Sequence, residues 1–225
     1  MAVVCSGLAC AQQTTLTATV TVTDQKRKPH DPSNVVLWLT PAEGTLPSAA
    51  SSTRPRLVQK NKSFEPHVLV VPVGAAVEFP NRDPFFHNVF SLFEGKRFDL
   101  GLYEAGSTRN VVFDKPGISY IFCNIHAEMS AVVVVLNTPY YGTSDRRGQL
   151  LLHDVAPGRY IQHVWYEGAL PDALNALTRE VTISTNTSTL GILRVPAANL
   201  PPAHKNLYGR DYTPPSNANP AYVRP

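Results

Sequence analysis

One short run of the chain brings together three kinds of metal-binding side chain. Residues 122–129 read Phe-Cys-Asn-Ile-His-Ala-Glu-Met, so Cys123, His126 and Met129 follow one another at intervals of three, and His87 lies upstream. A thiolate, two imidazoles and a weak axial thioether are the ligand set of a blue copper site. The fold must therefore place one tight loop beside a separate strand that supplies His87, a strong constraint on the architecture.

Other kinds of site explain this set less well. Structural zinc sites usually have four Cys or His ligands in paired spacings, iron–sulfur clusters need several thiolates, and covalent haem attachment needs Cys-x-x-Cys-His. Cys123 is the only cysteine outside the first ten residues, so these patterns are absent from the sequence. A catalytic Cys–His pair would leave Met129 and His87 unexplained. The remaining alternative is four unrelated core residues.

The composition is that of a globular β protein of one large domain or two small ones. The 225 residues are 43% hydrophobic and 16% charged, with a formal net charge of +3, which permits a normal core. Basic residues are scattered, without a stripe of interleaved aromatics, so nucleic-acid binding is not predicted. No stretch of the sequence reaches the ~18 apolar residues of a membrane helix.

The N-terminal residues indicate export. Residues 1–11 are small and apolar and end in an Ala-x-Ala-like cleavage sequence. A positively charged start is missing, so we interpret residues 1–11 as a truncated signal peptide of a periplasmic protein. A frayed N-terminus and a lipid-anchored Cys10 are the alternatives. Removal of the leader would leave Cys123 as the only thiol, which a metal bond would protect from oxidation.

Apolar periodicity predicts an almost all-β chain. Apolar residues alternate with threonine over 16–23, which is typical of a half-buried strand. Further strands are predicted at 35–39, 68–71, 75–79, 110–113, 118–122, 131–136, 149–152, 161–166, 180–184 and 190–195, and a short helix at 172–178. Ser119 and Ile121 share a strand face with Cys123, so Cys123 closes a strand and the ligand loop begins at a rigid anchor.

Residues 58–136 resemble the cupredoxins, namely plastocyanin, pseudoazurin and especially amicyanin. The matching pieces are Phe64-Glu65-Pro66, Val73-Gly74-Ala75-Ala76-Val77-Glu78-Phe79-Pro80-Asn81, His87-Asn88-Val89, Phe113-Asp114-Lys115-Pro116-Gly117 and Tyr120-Ile121-Phe122-Cys123. The Cys-x-x-His-x-x-Met loop has the amicyanin-like length, although Ile125 stands where relatives often carry proline. The whole chain is also similar to bacterial proteins named plastocyanin or methylamine-utilisation protein.

The cupredoxin resemblance implies a Greek-key β-sandwich with one copper ion that cycles between Cu(II) and Cu(I). Its metal ligands would be His87, Cys123, His126 and Met129. By the same resemblance, Asn88 should hydrogen-bond across to the Cys123 loop and hold it in place, an outer-shell role.

The loop position of His126 predicts that it is the more exposed ligand. Phe85, Phe86, Ile125 and Ala127 are candidates for an apolar rim around it, where a redox partner would dock. Core packing is the alternative role for the two phenylalanines.

The flanks resemble a carboxypeptidase-regulatory-like β-sandwich, through 20–24 with 35–39 and through 143–148 with 155–160. A copper domain inserted into an exposed loop of that sandwich would explain the split. Two consecutive sandwiches are the alternative. The expected segments are a signal peptide at 1–11, the first sandwich part at 12–40, a linker at 41–56, the cupredoxin domain at 57–138, the second sandwich part at 139–196, and a disordered or loosely docked tail at 197–225.

The sequence therefore predicts a non-enzymatic periplasmic electron carrier that exchanges electrons with a cytochrome or a dehydrogenase. No His-x-His pair of the multicopper oxidases, Ser-His-Asp arrangement or phosphate loop occurs in the sequence. Two alternatives remain: a protein for copper storage or delivery, and a structural β protein with a vestigial copper site.

Overall fold

The computed structural model describes residues 13–44, 54–92, 95–198 and 205–212. Its elements in chain order are β1 (Thr14–Thr23), β2 (Pro29–His30), β3 (Val36–Pro41), β4 (Val58–Lys60), β5 (Ser63–Glu65), β6 (Val68–Pro72), β7 (Ala75–Pro80), β8 (His87–Ser91), β9 (Phe98–Tyr103), β10 (Thr108–Phe113), β11 (Gly117–Phe122), β12 (Ser130–Leu136), β13 (Tyr141–Thr143), β14 (Gln149–Val155), β15 (Gly158–Trp165), α1 (Pro171–Asn175), β16 (Arg179–Ile183) and β17 (Thr189–Pro196).

This element order confirms the all-β prediction. Every strand predicted from periodicity is present, with its ends shifted by a few residues, and the predicted helix is the five-residue α1. Periodicity did not predict β2, β4, β5, β8, β9 and β13. The separate strand expected to supply His87 is β8. The expected signal peptide, most of the expected linker and most of the expected tail lie outside the described residues.

The chain divides into two compact units. The flanking unit comprises Met1–Pro47 and Tyr140–Leu200, and the central unit comprises Ser48–Pro139 and Pro201–Pro225. The assignment of the flanking unit to a carboxypeptidase-regulatory-like sandwich stays a prediction.

The flanking unit contains two four-stranded sheets. In the first sheet, β1 lies between β14, to which it is antiparallel, and β17, to which it is parallel, and β2 also pairs with β1. The second sheet has the order β13-β3-β15-β16. The apolar residues of the β1 alternation are buried, namely Leu16, Ala18, Val20 and Val22, so one face of β1 contributes to the core of this unit.

A tight turn joins β13 to β14 in the flanking unit. The Asp145 carboxylate accepts hydrogen bonds from the backbone N–H groups of Arg147 and Gln149, both at 2.8 Å. Gly148 has φ +72° in this turn, and a Cβ atom there would collide with the carbonyl oxygen of Val20. This position therefore requires glycine for both its conformation and its space.

The central unit is built on a five-stranded sheet with the order β6-β12-β11-β8-β9. The other paired strands of the unit are the β7–β10 pair and the β4–β5 hairpin. Isolated bridges join Arg56, just before the hairpin, to Glu78 in β7, and Gln59 in the hairpin to Asn81 just after β7. The buried core cluster of this unit includes Phe79, Tyr103 and Phe113, together with Cys123 and Met129.

The register of β8 and β11 determines where the predicted ligands meet. These antiparallel strands place Phe122 opposite Phe90, so Cys123, the residue after β11, continues toward Val89. Because side chains alternate along a strand, His87 and Val89 share one face of β8. His87 and Cys123 therefore reach the same end of the sheet on the same side.

Candidate metal centre

Three donor side chains converge at this end of the five-stranded sheet. The imidazole Nδ1 atoms of His87 and His126 lie 3.8 and 3.6 Å from Cys123 Sγ, and one ligand atom from each of the three residues lies within 4.8 Å of the others. All three side chains are buried. The fold thus brings two imidazoles and a thiol together, although His87 is distant from the other two residues in the sequence.

The spacing of these atoms fits a shared metal ion. A first-row metal bound at about 2.3 Å to sulfur and about 2.0 Å to nitrogen, as zinc is, would hold these atoms ~3.7 Å apart in a trigonal plane. The two observed sulfur–nitrogen distances of 3.8 and 3.6 Å straddle this value. The residues present therefore fit a thiolate–bis-imidazole centre with little rearrangement.

A buried carboxylate selects the tautomer of His87. Asp83 Oδ1 accepts from the Asn61 backbone N–H at 2.6 Å, and Asp83 Oδ2 accepts from the Lys62 backbone N–H at 2.9 Å. His87 Nε2 lies 2.8 Å from Asp83 Oδ2. Since an ionised carboxylate only accepts hydrogen bonds, Nε2 carries the proton and the lone pair of Nδ1 faces Cys123.

The charge state of Asp83 follows from competing effects. Burial raises the pKa of its carboxyl, but hydrogen bonds from the Lys62 and Asn61 backbones and from His87 outweigh burial, and the net effect lowers the pKa. Asp83 is thus ionised at neutral pH. The buried side chain of Asn81 also holds the backbone at Asp83, because Asn81 Oδ1 accepts from the Asp83 backbone N–H at 3.0 Å.

The ligand loop, residues 123–129, is closed by its own backbone. Cys123 N–H donates to the Met129 carbonyl at 3.2 Å, and Met129 N–H donates to the His126 carbonyl at 3.1 Å. Met129 is fully buried in the core of the central unit. The three-residue spacing predicted from sequence thus yields a compact loop whose two ends are hydrogen-bonded to each other.

Both histidines are neutral at physiological pH. Burial lowers the pKa of His87, and Asp83 opposes this shift only in part. Burial, followed by the nearby His87 and Lys62, lowers the pKa of His126 to about 4. Neutral imidazole is the form that binds metals, so neither side chain must lose a proton to become a ligand.

The Cys123 thiol is fully buried, and backbone N–H groups surround its sulfur. Burial raises its pKa, while backbone N–H groups of Asn88, Ile125 and His126 hydrogen-bond to the sulfur and oppose that effect. These donors point at the place where negative charge develops when a metal displaces the thiol proton. The backbone thus stabilises the thiolate without adding a charged side chain.

The cupredoxin resemblance implied that Asn88 hydrogen-bonds across to the Cys123 loop, and this outer-shell role stays a prediction. Asn88 Nδ2 donates to Asp99 Oδ1 at 2.7 Å, because Asn88 follows His87 along β8 and points to the opposite side. The Asn88 backbone N–H, however, hydrogen-bonds to the Cys123 sulfur. The contact with the loop is therefore made by the main chain.

Phe85 covers the two imidazoles. Its ring centroid lies 5.2 Å from that of His87 and 5.7 Å from that of His126, and the Lys62 ammonium lies over the same ring. His126 is 7% exposed and His87 is 0% exposed. His126 is thus the more accessible of the two, but both lie beneath the surface.

The residues of the expected apolar rim have different exposures. Phe86 is 56% exposed and Ala127 is exposed, whereas Phe85 and Ile125 are partly buried. Ile125 also packs against the core of the central unit. Phe86 and Ala127 are thus the exposed members of the expected rim, and their joint role as a docking surface stays a prediction.

Sequence reasoning did not identify Asp83, Tyr212 or the side chain of Asn124 as parts of this centre. Tyr212 Oη donates to the Cys123 carbonyl at 2.6 Å, and Asn124 Oδ1 accepts from the Leu207 backbone N–H at 2.8 Å. Asp83 lies four residues before His87, a spacing that gives a weak signal by itself. No local pattern links residues 207 and 212 to a loop more than 80 residues earlier.

No model of a known protein family matches this chain, and no curated protein matches it. Several solved structures, however, are similar to part of this chain. They include a copper-containing nitrite reductase from Thermus scotoductus, with 25% identity and a TM-score of 0.36 over 40% of this chain and 25% of the reductase. They also include a purple cupredoxin from Nitrosopumilus maritimus, with 23% identity and a TM-score of 0.34 over 36% of this chain and 99% of the cupredoxin.

A mutant amicyanin in the Cu(I) state is a third similar structure, with 17% identity and a TM-score of 0.36 over 44% of this chain and 98% of the amicyanin. This chain thus spans about a quarter of the length of the reductase, and nearly the full length of the other two proteins. Among the described residues, no helix has the length and apolar character needed to cross a membrane.

Proposed function

We propose that this chain binds one copper ion as a blue copper centre and carries single electrons between redox proteins, without catalysing a reaction of its own. The observation that carries the proposal is the convergence of His87 Nδ1, His126 Nδ1 and Cys123 Sγ in a buried site. Met129, buried on the same loop, would be the weak axial ligand. Bound copper would supply reversible exchange between Cu(II) and Cu(I).

The surroundings of the donors suit rapid electron exchange. Asp83 fixes the orientation and proton of His87, and backbone N–H groups hold the Cys123 sulfur. A donor set fixed in this way changes little between oxidation states, so the energy of rearrangement is small. The same burial and outer-shell hydrogen bonds oppose easy release of the ion, which favours electron transfer over copper delivery.

The partner would be a redox protein such as a cytochrome or a dehydrogenase, docking on the apolar surface beside the ligand loop. Two of the expected rim residues, Phe86 and Ala127, have exposed apolar atoms that such a partner could contact. Weak electron-transfer encounters use small interfaces, below about 1,200 Å². The apolar N-terminal run supports a periplasmic location, which fractionation of cells expressing the natural gene would test.

The proposed centre has a direct spectroscopic test. The mature protein is titrated with Cu(II), and its visible absorption and electron paramagnetic resonance spectra are recorded. We expect saturation at one equivalent and an intense blue or green colour from thiolate-to-copper charge transfer. A colourless copper-loaded protein would exclude the blue copper assignment.

Two substitutions separate the roles of the donors. Cys123→Ser should abolish the colour, because an alcohol gives no thiolate charge transfer. Met129→Leu should keep the colour and raise the reduction potential, because Cu(II) loses a thioether donor. A wild-type centre that could not be cycled reversibly in a redox titration would instead favour copper storage or delivery.

A further inference from the structure

The segment of residues 205–212, here called the C-terminal turn, has internal structure of its own. Asn206 Oδ1 accepts from the backbone N–H groups of Tyr208 at 2.9 Å and Arg210 at 3.0 Å. Asn206 N–H donates to the Arg210 carbonyl at 2.9 Å. An ion pair between Lys205 and Asp211 closes the turn, so these eight residues form a locally folded unit.

The C-terminal turn contacts two consecutive residues at the start of the ligand loop. Tyr212 Oη donates to the Cys123 carbonyl at 2.6 Å, and the Leu207 N–H donates to Asn124 Oδ1 at 2.8 Å. One contact comes from each side of the turn. These two hydrogen bonds hold the peptide group between Cys123 and Asn124 and the side chain of Asn124.

We infer that the C-terminal turn is a positioning element for the metal centre, with Tyr212 as its main positioning residue. The inference rests on the proposed function, since it names what holds the copper-binding loop. Cys123 is the first residue after β11, where the regular pairing with β12 ends. A hydrogen bond to its carbonyl restricts rotation of the peptide group that joins the thiolate ligand to the rest of the loop.

The role of Tyr212 differs from that of Asp83. Asp83 acts on one imidazole, whereas Tyr212 acts on the main chain of the thiolate ligand. Loss of the Tyr212 hydroxyl should therefore loosen the loop and make copper easier to remove. Outer-shell partners of metal ligands typically change metal affinity by about 10- to 100-fold.

The test compares Tyr212→Phe with wild type in the full chain, with Tyr208→Phe as matched control. Tyr208 lies in the same turn and is 73% exposed. The copper-loaded proteins are mixed with excess chelator, and the decay of the visible absorption gives the rate of copper loss. We expect copper loss about 10-fold faster in Tyr212→Phe, with an altered charge-transfer spectrum, and wild-type behaviour in Tyr208→Phe.

A second measurement on the metal-free proteins keeps this inference separate from the proposed function. The amides of Cys123 and Met129 take part in the hydrogen bonds of the loop. Their hydrogen exchange should be faster in Tyr212→Phe than in wild type and unchanged in Tyr208→Phe. If wild type binds no copper, the proposed function fails, and this exchange measurement still decides whether Tyr212 positions the loop.

One result would overturn the inference. Tyr212→Phe could lower the thermal midpoint while the copper-loss rate, the visible spectrum and the exchange of the Cys123 and Met129 amides stay as in wild type. The Tyr212 contact would then only attach the C-terminal turn to the central unit.

Discussion

At the scale of single residues, the site depends on hydrogen bonds that set protonation before any metal binds. Asp83 is held ionised by two backbone N–H groups and by His87. Its charge keeps the proton on His87 Nε2 and raises the basicity of the imidazole. The metal-facing Nδ1 atom is therefore an available donor.

Replacement of this carboxylate should weaken copper binding. Asp83→Asn is expected to lower copper affinity by about 10- to 100-fold. The reduction potential should rise, because a less basic imidazole stabilises Cu(II) less. Competition with a copper chelator and voltammetry measure the two effects. Asp114→Asn, at an exposed carboxylate paired with Lys96, is the control, and equal affinities in the two variants would contradict the role of Asp83.

A second residue-scale prediction concerns pH and the flanking unit. His163 stacks on Trp38 with ring centroids 5.2 Å apart, and its Nε2 lies 2.9 Å from Thr40 Oγ1. Burial lowers the pKa of His163 in the folded state. The unfolded chain therefore takes up this proton at a higher pH, near 6.5, and the free energy of unfolding falls as the pH drops below that value.

His163→Phe should remove this contribution while it keeps an aromatic ring against Trp38. Urea denaturation at pH 7.5 and pH 5.5 gives the loss of stability on acidification for each protein. We expect a smaller loss in His163→Phe than in wild type. Equal losses would mean that the histidine titrates alike in the folded and unfolded chains.

At the scale of elements, periodicity predicted those strands that have one buried and one exposed face. In β1 the apolar and polar residues alternate, and the burial follows them. Periodicity did not detect β8, because all its residues are buried, including His87, Asn88 and Ser91, so polarity does not alternate with exposure. Only the ligand set indicated that a strand supplies His87. The spacing of Cys123, His126 and Met129 could be recognised in the sequence because one loop contains all three. Asp83 and Tyr212 could not be recognised, because only hydrogen bonds formed in the folded protein bring them to the site.

The turn before β14 offers a prediction at this scale. Gly148→Ala should destabilise the flanking unit, because φ +72° is unfavourable for alanine by about 1 kcal/mol or more, and the new Cβ would meet the Val20 carbonyl. Gly191→Ala is the matched control, since Gly191 has φ +81° with open space around it. Chemical denaturation should show the greater loss in Gly148→Ala, and equal losses would leave backbone conformation as the whole effect.

At the scale of the whole molecule, the proposed electron transfer requires a path from the centre to the protein surface. His126 is 7% exposed, and two of the expected rim residues, Phe86 and Ala127, are exposed. A partner that docks there would come close to a ligand without removing Phe85 from the imidazoles. Charge at this surface should therefore affect encounter rather than the copper centre itself.

Ala127→Glu tests this docking surface. Stopped-flow mixing with a candidate cytochrome should show slower electron exchange than in wild type, with the copper spectrum unchanged, because a charge must be desolvated in an apolar contact. Val112→Glu is the control: this residue is 50% exposed on β10, outside the sheet that carries the ligands. Equal slowing by both variants would point to overall charge, and unchanged rates in both would place docking elsewhere.

The strand order of the flanking unit has a consequence for synthesis of the protein. β1 pairs with β14 and β17, and Thr17 lies opposite Thr189 although 172 residues separate them. A ribosome completes the strands of the central unit before it makes either of these partners. β1 therefore lacks both of these strand partners until β14 and then β17 have been made. Strand pairing over so long a sequence separation is slow. The five-stranded sheet of the central unit can therefore form during synthesis before β1 pairs with β14 and β17.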